Sequence, residues 1–150
     1  QTPRVKDMDF LIVVPPEHEF RFDQVLAAAA LRPKRAGDRV EIADTYAAGS
    51  RRRSFIIRDV PRRGRPRCYR SDLFLTTESE KPFALYHYTG PASYNIRTRA
   101  HVKRKGWLLN QYGLFDAVTR TRVRGASHIR NERELAKFVG VTYQPPRARE

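Results

Sequence analysis

Asp7-Met8-Asp9-Phe10-Leu11-Ile12-Val13-Val14, halted by Pro15-Pro16, is rich in Ile, Val and Phe and reads as a β-strand. Residues two apart on a strand share a face. Asp7 and Asp9 therefore present two carboxylates side by side, with Met8 turned inward. Two like charges a few ångströms apart repel, and burial raises the cost. Such a pair is comfortable when exposed to water or when cations neutralise it. Mg2+ takes hard oxygen ligands of this kind, often one or two carboxylates together with substrate phosphates. Two such ions about 3.5–4 Å apart clamp the attacking and leaving oxygens of an in-line displacement. A third carboxylate from a neighbouring strand would complete the set. Asp72, in the strand-like Arg70-Ser71-Asp72-Leu73-Phe74, is the best candidate. Arg70 lies two residues earlier on the same face, placed to orient a carboxylate by paired hydrogen bonds. The plain alternative is a solvated strand edge or a turn cap, and Asp-x-Asp alone does not separate the two.

Working outward, residues 19–31 read as a helix. Phe22, Val25, Leu26 and Ala29 fall at helical spacing, the alanine run favours it, and Pro33 and Gly37 end it. Residues 40–46, 54–59 and 68–75 read as three further strands, with a strand-to-strand turn at Gly49-Ser50-Arg51-Arg52 and another at Arg62-Arg63-Gly64-Arg65-Pro66. The first half is thus a helix against a sheet with antiparallel pieces. The polar stretch 76–81 breaks the pattern and marks a boundary. Beyond it, 83–88 is apolar and aromatic, and Thr89-Gly90-Pro91 makes a turn. Residues 93–105 form a basic helix, and 107–115 a strand with a turn at Gly113. A short helix over 131–139 opens on the capping pair Asn131 and Glu134 and closes at Gly140. The tail, 143–150, is Pro-rich and extended. The expected class is α+β, in two parts, 1–77 and 78–150.

Thirty Lys and Arg against 16 Asp and Glu give a formal net charge of +14. A charge that large says little about fold and much about partners, and it points to a polyanion. No apolar run approaches the roughly 20 residues that span a bilayer, and no signal peptide is visible. The single cysteine, Cys68, rules out an internal disulfide framework or a thiolate metal cluster. The expected setting is an intracellular, reducing compartment holding nucleic acid: nucleus, mitochondrion, viral factory or virion, or bacterial cytoplasm. The basic residues cluster at 51–53, 62–70, 97–104 and 120–130. On a helix, Arg97, His101 and Arg104 fall near one face. Arginine's planar fork suits phosphate, and such contacts position a duplex more than they read it. The histidines lack metal-ligand spacing and, apart from His87, read as surface residues. Trp107 reads as core, and Asp38, Asp44, Asp59 and Asp116 as solvated. Ser54, Ser71 and Ser93 have no paired base, so nucleophilic hydrolysis is unsupported.

Lys6-Asp7-Met8-Asp9 followed by FLIVVP is similar to the catalytic strand of family X DNA polymerases, and Arg70-Ser71-Asp72-Leu73-Phe74 resembles the strand carrying their third aspartate. Tyr86-His87-Tyr88-Thr89-Gly90-Pro91 resembles the family's aromatic-Thr-Gly-Ser stretch. Asn95-Ile96-Arg97-Thr98-Arg99, Lys105-Gly106 and Leu109-Asn110-Gln111-Tyr112-Gly113-Leu114-Phe115 follow in the family's order, and Gly-Val-Thr-Tyr-x-Pro-Pro-Arg-x-Arg-Glu ends the chain as the family does. The likeness runs over nearly the whole chain and is nearest to the short viral, phage and bacterial members. It implies a nucleotidyltransferase palm at 1–77, with a mixed sheet and helices on one face, and a small α/β thumb at 78–150. It implies gap-filling DNA synthesis in repair with two Mg2+ ions, or Mn2+, on gapped or primer-template DNA with a dNTP. Asp7 and Asp9 would bind both metals and Asp72 the catalytic one. His87 and Tyr88 fall at the sugar-sensing aromatic pair, beside Gly90. Asn95 falls where the minor-groove edge of the incoming base is read, and Arg99 at a template contact. Arg97, Lys103, Arg104, Asn110, Gln111 and Tyr112 would face DNA.

The chain departs from the pattern in places. The aromatic pair is His-Tyr, and Gly-Pro stands for the commoner Gly-Ser. The family's triphosphate-binding Gly-Ser motif belongs shortly before Asp-x-Asp, yet the stretch from Gln1 to Lys6 does not contain it. Gln1 is not a natural start, so the chain is expected to have been cut or processed there. A second expectation stays open beside the enzyme: a polymerase-derived, catalytically incomplete, basic subunit that binds DNA or RNA within a ribonucleoprotein or virion.

Overall fold

The strand-forming runs pair into one sheet in the computed structural model, which describes residues 7–15 and 39–149. Strands β1 (Asp7–Val13), β2 (Arg39–Ala48), β3 (Arg52–Val60) and β4 (Arg67–Thr76) lie in the order β1-β4-β3-β2. The helix expected over 19–31 lies outside the described residues. β2, β3 and β4 follow one another antiparallel, and Ser54 stands opposite Asp72 in the β3–β4 register. The turn after β2 closes on a 2.7 Å bond from the Gly49 N–H to the Arg52 carbonyl. β1 has no sequence neighbour in the sheet: it reaches across to lie beside β4, where the buried Ser71 hydroxyl donates to the Met8 carbonyl at 3.3 Å.

Strand alternation sorts the side chains. Phe55, Ile57, Leu73, Leu75 and Val14 form the core, with Met8, Ile12 and Val40 packed against it. Met8 is thus turned inward between two exposed aspartates. The chain divides into two units, Gln1–Leu75 and Thr76–Glu150.

The second unit contains α1 (Lys81–Thr89), α2 (Ala92–Arg104), the hairpin β5 (Trp107–Asn110) and β6 (Gly113–Asp116), and α3 (Glu132–Val139). The 83–88 stretch is helical: Pro82 stands in the first turn of α1, where its missing N–H costs nothing. The Gly90–Pro91 peptide that follows is cis. α2 buries Tyr94, Thr98 and Val102, four apart and so on one face. These pack with Phe83, Tyr86, Leu109, Leu114, Leu135 and Val139 into the second core, and Trp107 lies partly buried against it, 5.9 Å from the Phe138 ring. Each such side chain contributes on the order of 1.5–3 kcal/mol by leaving water.

The end of α3 is fixed by its caps. Asn131 accepts from the Glu134 N–H at 2.9 Å and donates back to the Glu134 carboxylate at 2.9 Å, a reciprocal cap. Gly140 closes the helix in the left-handed region, φ 78°. Three expectations need correction. The 107–115 stretch is two strands, not one, because the Asn110 side chain turns the chain by accepting from the Tyr112 and Gly113 N–H groups. His101 is a half-buried residue bonded to the Val139 carbonyl at 3.1 Å rather than a surface one. The tail makes a short 3-10 turn at Pro146–Ala148 and buries Arg149. Among the described residues no helix is long and apolar enough to cross a membrane.

Candidate active site

β1 and β4 are neighbours, so Asp7 and Asp9 on one and Asp72 on the other share a region of the sheet. The Asp9 carboxyl shows the result: burial, then Asp72, then Asp7 raise its pKa above the ordinary value, while Arg52 acts in the opposite sense. Among the described residues, no three His, Cys, Asp or Glu side chains are drawn together closely enough to hold a metal ion as they stand. The carboxylates meet arginines. Arg70 lies 3.6 Å from Asp7 rather than on Asp72, and it also approaches the Tyr46 hydroxyl at 3.4 Å and its ring at 5.6 Å. Asp72 is taken by two residues of β3 that the sequence reading passed over: Arg52 pairs with one carboxylate oxygen at 3.1 Å, and the buried Ser54 hydroxyl donates to the other. Both follow from register. Ser54 is directly opposite Asp72, and Arg52 is its diagonal neighbour on the same face. The alternation of Arg52 and Ser54 was visible in the sequence, but their partner was not.

In the second unit a small pocket is lined by His87, Asn95, Arg99 and Asn110, four residues singled out from sequence, and by Phe83, Tyr86 and Leu109, which were not. α1 and α2 place the first three. The Asn95 amide donates to the His87 carbonyl at 2.7 Å, tying the end of α1 to the start of α2. The Arg99 Nε donates to the Leu109 carbonyl at 3.0 Å, tying α2 to β5. Burial, and then the nearby Arg99 charge, lower the pKa of His87 below its ordinary value. The His87 ring meets Tyr88 edge-on, 4.9 Å between centroids. The pocket floor is fixed by the buried Tyr86 hydroxyl, 2.7 Å from that of Thr98. Arg97, Lys103 and Arg104 are exposed on α2. Gln111 and Tyr112 sit at the hairpin turn. Gly90 stands in the left-handed region, φ 64°, between the two helices. Asp116 is not merely solvated: it accepts from the Thr119 and Val118 N–H groups, which hold its carboxyl below the ordinary value.

Residues 84–150 match the family model of the DNA polymerase beta thumb. The chain is 48% identical over 81 residues to a repair DNA polymerase X of African swine fever virus, covering 54% of this chain and 44% of the viral protein. It is 36% identical over 81 residues to the human DNA-directed DNA/RNA polymerase mu, covering 53% of this chain and 16% of that protein. The chain thus spans less than half the length of these relatives. Its fold is similar to that of a Leishmania infantum polymerase beta solved as a ternary P/T complex. The TM-score is 0.68 at 20% identity, over 96% of this chain and 61% of that one.

Proposed function

Since this chain belongs, through its polymerase beta thumb, to the family X DNA polymerases, we propose that it serves DNA-directed DNA synthesis, filling short gaps in repair by nucleotidyl transfer. The observation that carries the reading is the grouping of Asp7, Asp9 and Asp72 on the neighbouring strands β1 and β4, where each of the other two raises the Asp9 carboxyl. Residues 1–77 act as the palm and 78–150 as the thumb. Carboxylate oxygens are the donors that Mg2+ and Mn2+ take, so the trio fits such ions in chemistry and in charge. Asp7 and Asp9 would hold two ions and Asp72 one. When bound, the ions supply charge neutralisation at the triphosphate and at the attacking primer hydroxyl.

The chain's own side chains do the positioning, which is most of the catalysis in phosphoryl transfer. Ser54 and Arg52 fix the Asp72 carboxylate, and Arg70 steadies Asp7. His87 and Tyr88 meet the sugar of the incoming nucleotide beside Gly90, and Asn95 faces its base. Arg99 contacts the template. Arg97, Lys103, Arg104, Asn110, Gln111 and Tyr112 line the DNA-facing surface. Support comes from the shared pocket of His87, Asn95, Arg99 and Asn110.

Primer extension on a gapped duplex with Mg2+ or Mn2+ tests the reading. Extension that disappears in Asp9→Ala and in Asp72→Ala is the expected result. Salt-sensitive DNA binding with no extension, even when an upstream Gly-Ser segment is joined to the chain, would overturn it.

A further inference from the structure

The carboxylates of the first unit are accompanied by two guanidiniums that differ in how they are held. Arg70 is shared between Asp7 and Tyr46. Arg52 stands 3.1 Å from Asp72 with its own side chain 55% exposed, whereas that of Asp72 is only 18% exposed. The arginine has open solvent to move into, and the carboxylate it covers does not. Ser54, fully buried directly across the β3–β4 pair, holds the second Asp72 oxygen and keeps the carboxylate in place if the arginine leaves.

We infer that Arg52 is a resident counterion of the carboxylate trio, which neutralises Asp72 while the site is empty of metal and withdraws when a divalent cation takes that carboxylate. Arg52 thereby sets the metal affinity of the site. The inference rests on the metal-site reading above. The competition is winnable because an exposed ion pair restrains its partners by no more than about fivefold, and a divalent ion brings twice the charge to the same oxygens. An arginine there also relieves the mutual repulsion of the three acids, so the empty site stays folded. Arg52 is a positioning residue in this scheme and touches no substrate.

The test is a titration of the full chain with Mn2+ alone, with free Mn2+ followed by electron paramagnetic resonance. Arg52→Gln should bind Mn2+ about threefold to tenfold more tightly than the parent, a range set by the strength of exposed pairs. Arg52→Lys, which keeps the charge, should bind as the parent does, and Asp72→Asn should weaken binding in either background. Thermal melts establish that each variant is folded, and Arg52→Leu provides a second neutral replacement. If Arg52→Gln and Arg52→Leu bind no more tightly while Asp72→Asn still weakens binding, the counterion role is wrong and the metal site stands. If Mn2+ binding is independent of Asp72 in every protein, the metal-site reading falls and the inference with it.

Discussion

Arg149 and Glu132 form an ion pair at 2.9 Å in which the arginine side chain is wholly buried and the glutamate side chain 14% exposed. The guanidinium lies 5.2 Å from the Tyr86 ring and 4.9 Å from the Tyr94 ring, and its Nε donates to the Gln144 carbonyl at 2.9 Å. A buried pair is weak evidence for net stability, but removing one partner strands the other. Arg149→Met is therefore expected to destabilise the protein by about 3–5 kcal/mol. Adding Glu132→Gln should restore much of that loss, because no unpaired charge then remains. Urea unfolding of the two single variants and the double variant gives the coupling; strictly additive effects would show that the pair is not the source.

The cap of α3 allows a smaller prediction. Asn131→Ala should cost about 1 kcal/mol, and Asn131→Asp or Asn131→Ser much less, since both keep an acceptor for the Glu134 N–H. Equal losses for Ala and Ser would mean that the hydrogen bond contributes nothing.

His87 has a pH signature whose sign follows from its surroundings. Burial, then Arg99, hold its folded pKa below the ordinary 6.5. As pH falls through that value the unfolded chain takes up a proton that the folded chain refuses. Stability is therefore full above about pH 6.5 and declines as pH falls towards the folded pKa. His87→Gln should flatten that part of the stability-versus-pH curve. Titration of the ring by NMR with a midpoint at or above 6.5 would contradict the assignment.

The exposed basic residues of α2 predict a salt dependence. If Arg97, Lys103 and Arg104 meet phosphates, each change to Gln should weaken duplex binding at low salt. Each should also lower the slope of log affinity against log salt by about 0.9. An unchanged slope in the triple variant, measured by fluorescence anisotropy, would move the DNA surface elsewhere.

Local order in the sequence was legible where local physics decides it. The strand alternation that turns Met8 in and Asp7 and Asp9 out is a two-residue rule, and the Asn131–Glu134 cap is a three-residue one. What stayed hidden depended on distant partners. Nothing near β1 says that it lies beside β4, or that Asp72 faces Ser54 and Arg52 across a register, so the orienting role fell to Arg70 by proximity in sequence. Arg149 sits in a Pro-rich tail and carries a charge that ordinarily stays in water; only the tyrosines and Glu132, from three other segments, make its burial tolerable. The Asn110 turn was missed because apolar residues continue on both sides of it, and a side-chain carbonyl rather than a glycine pattern bends the chain.

That turn gives the pocket a hydrogen-bond polarity. The Asn110 side-chain oxygen is engaged by two backbone N–H groups, so what it offers outward is its amide hydrogens. Arg99, beside it in the lining, has donors and no acceptor. A wall built this way recognises lone pairs and refuses hydrogens. It favours the ring nitrogen and keto oxygen that every base pair exposes along its minor-groove edge, and it does so without preferring one base over another.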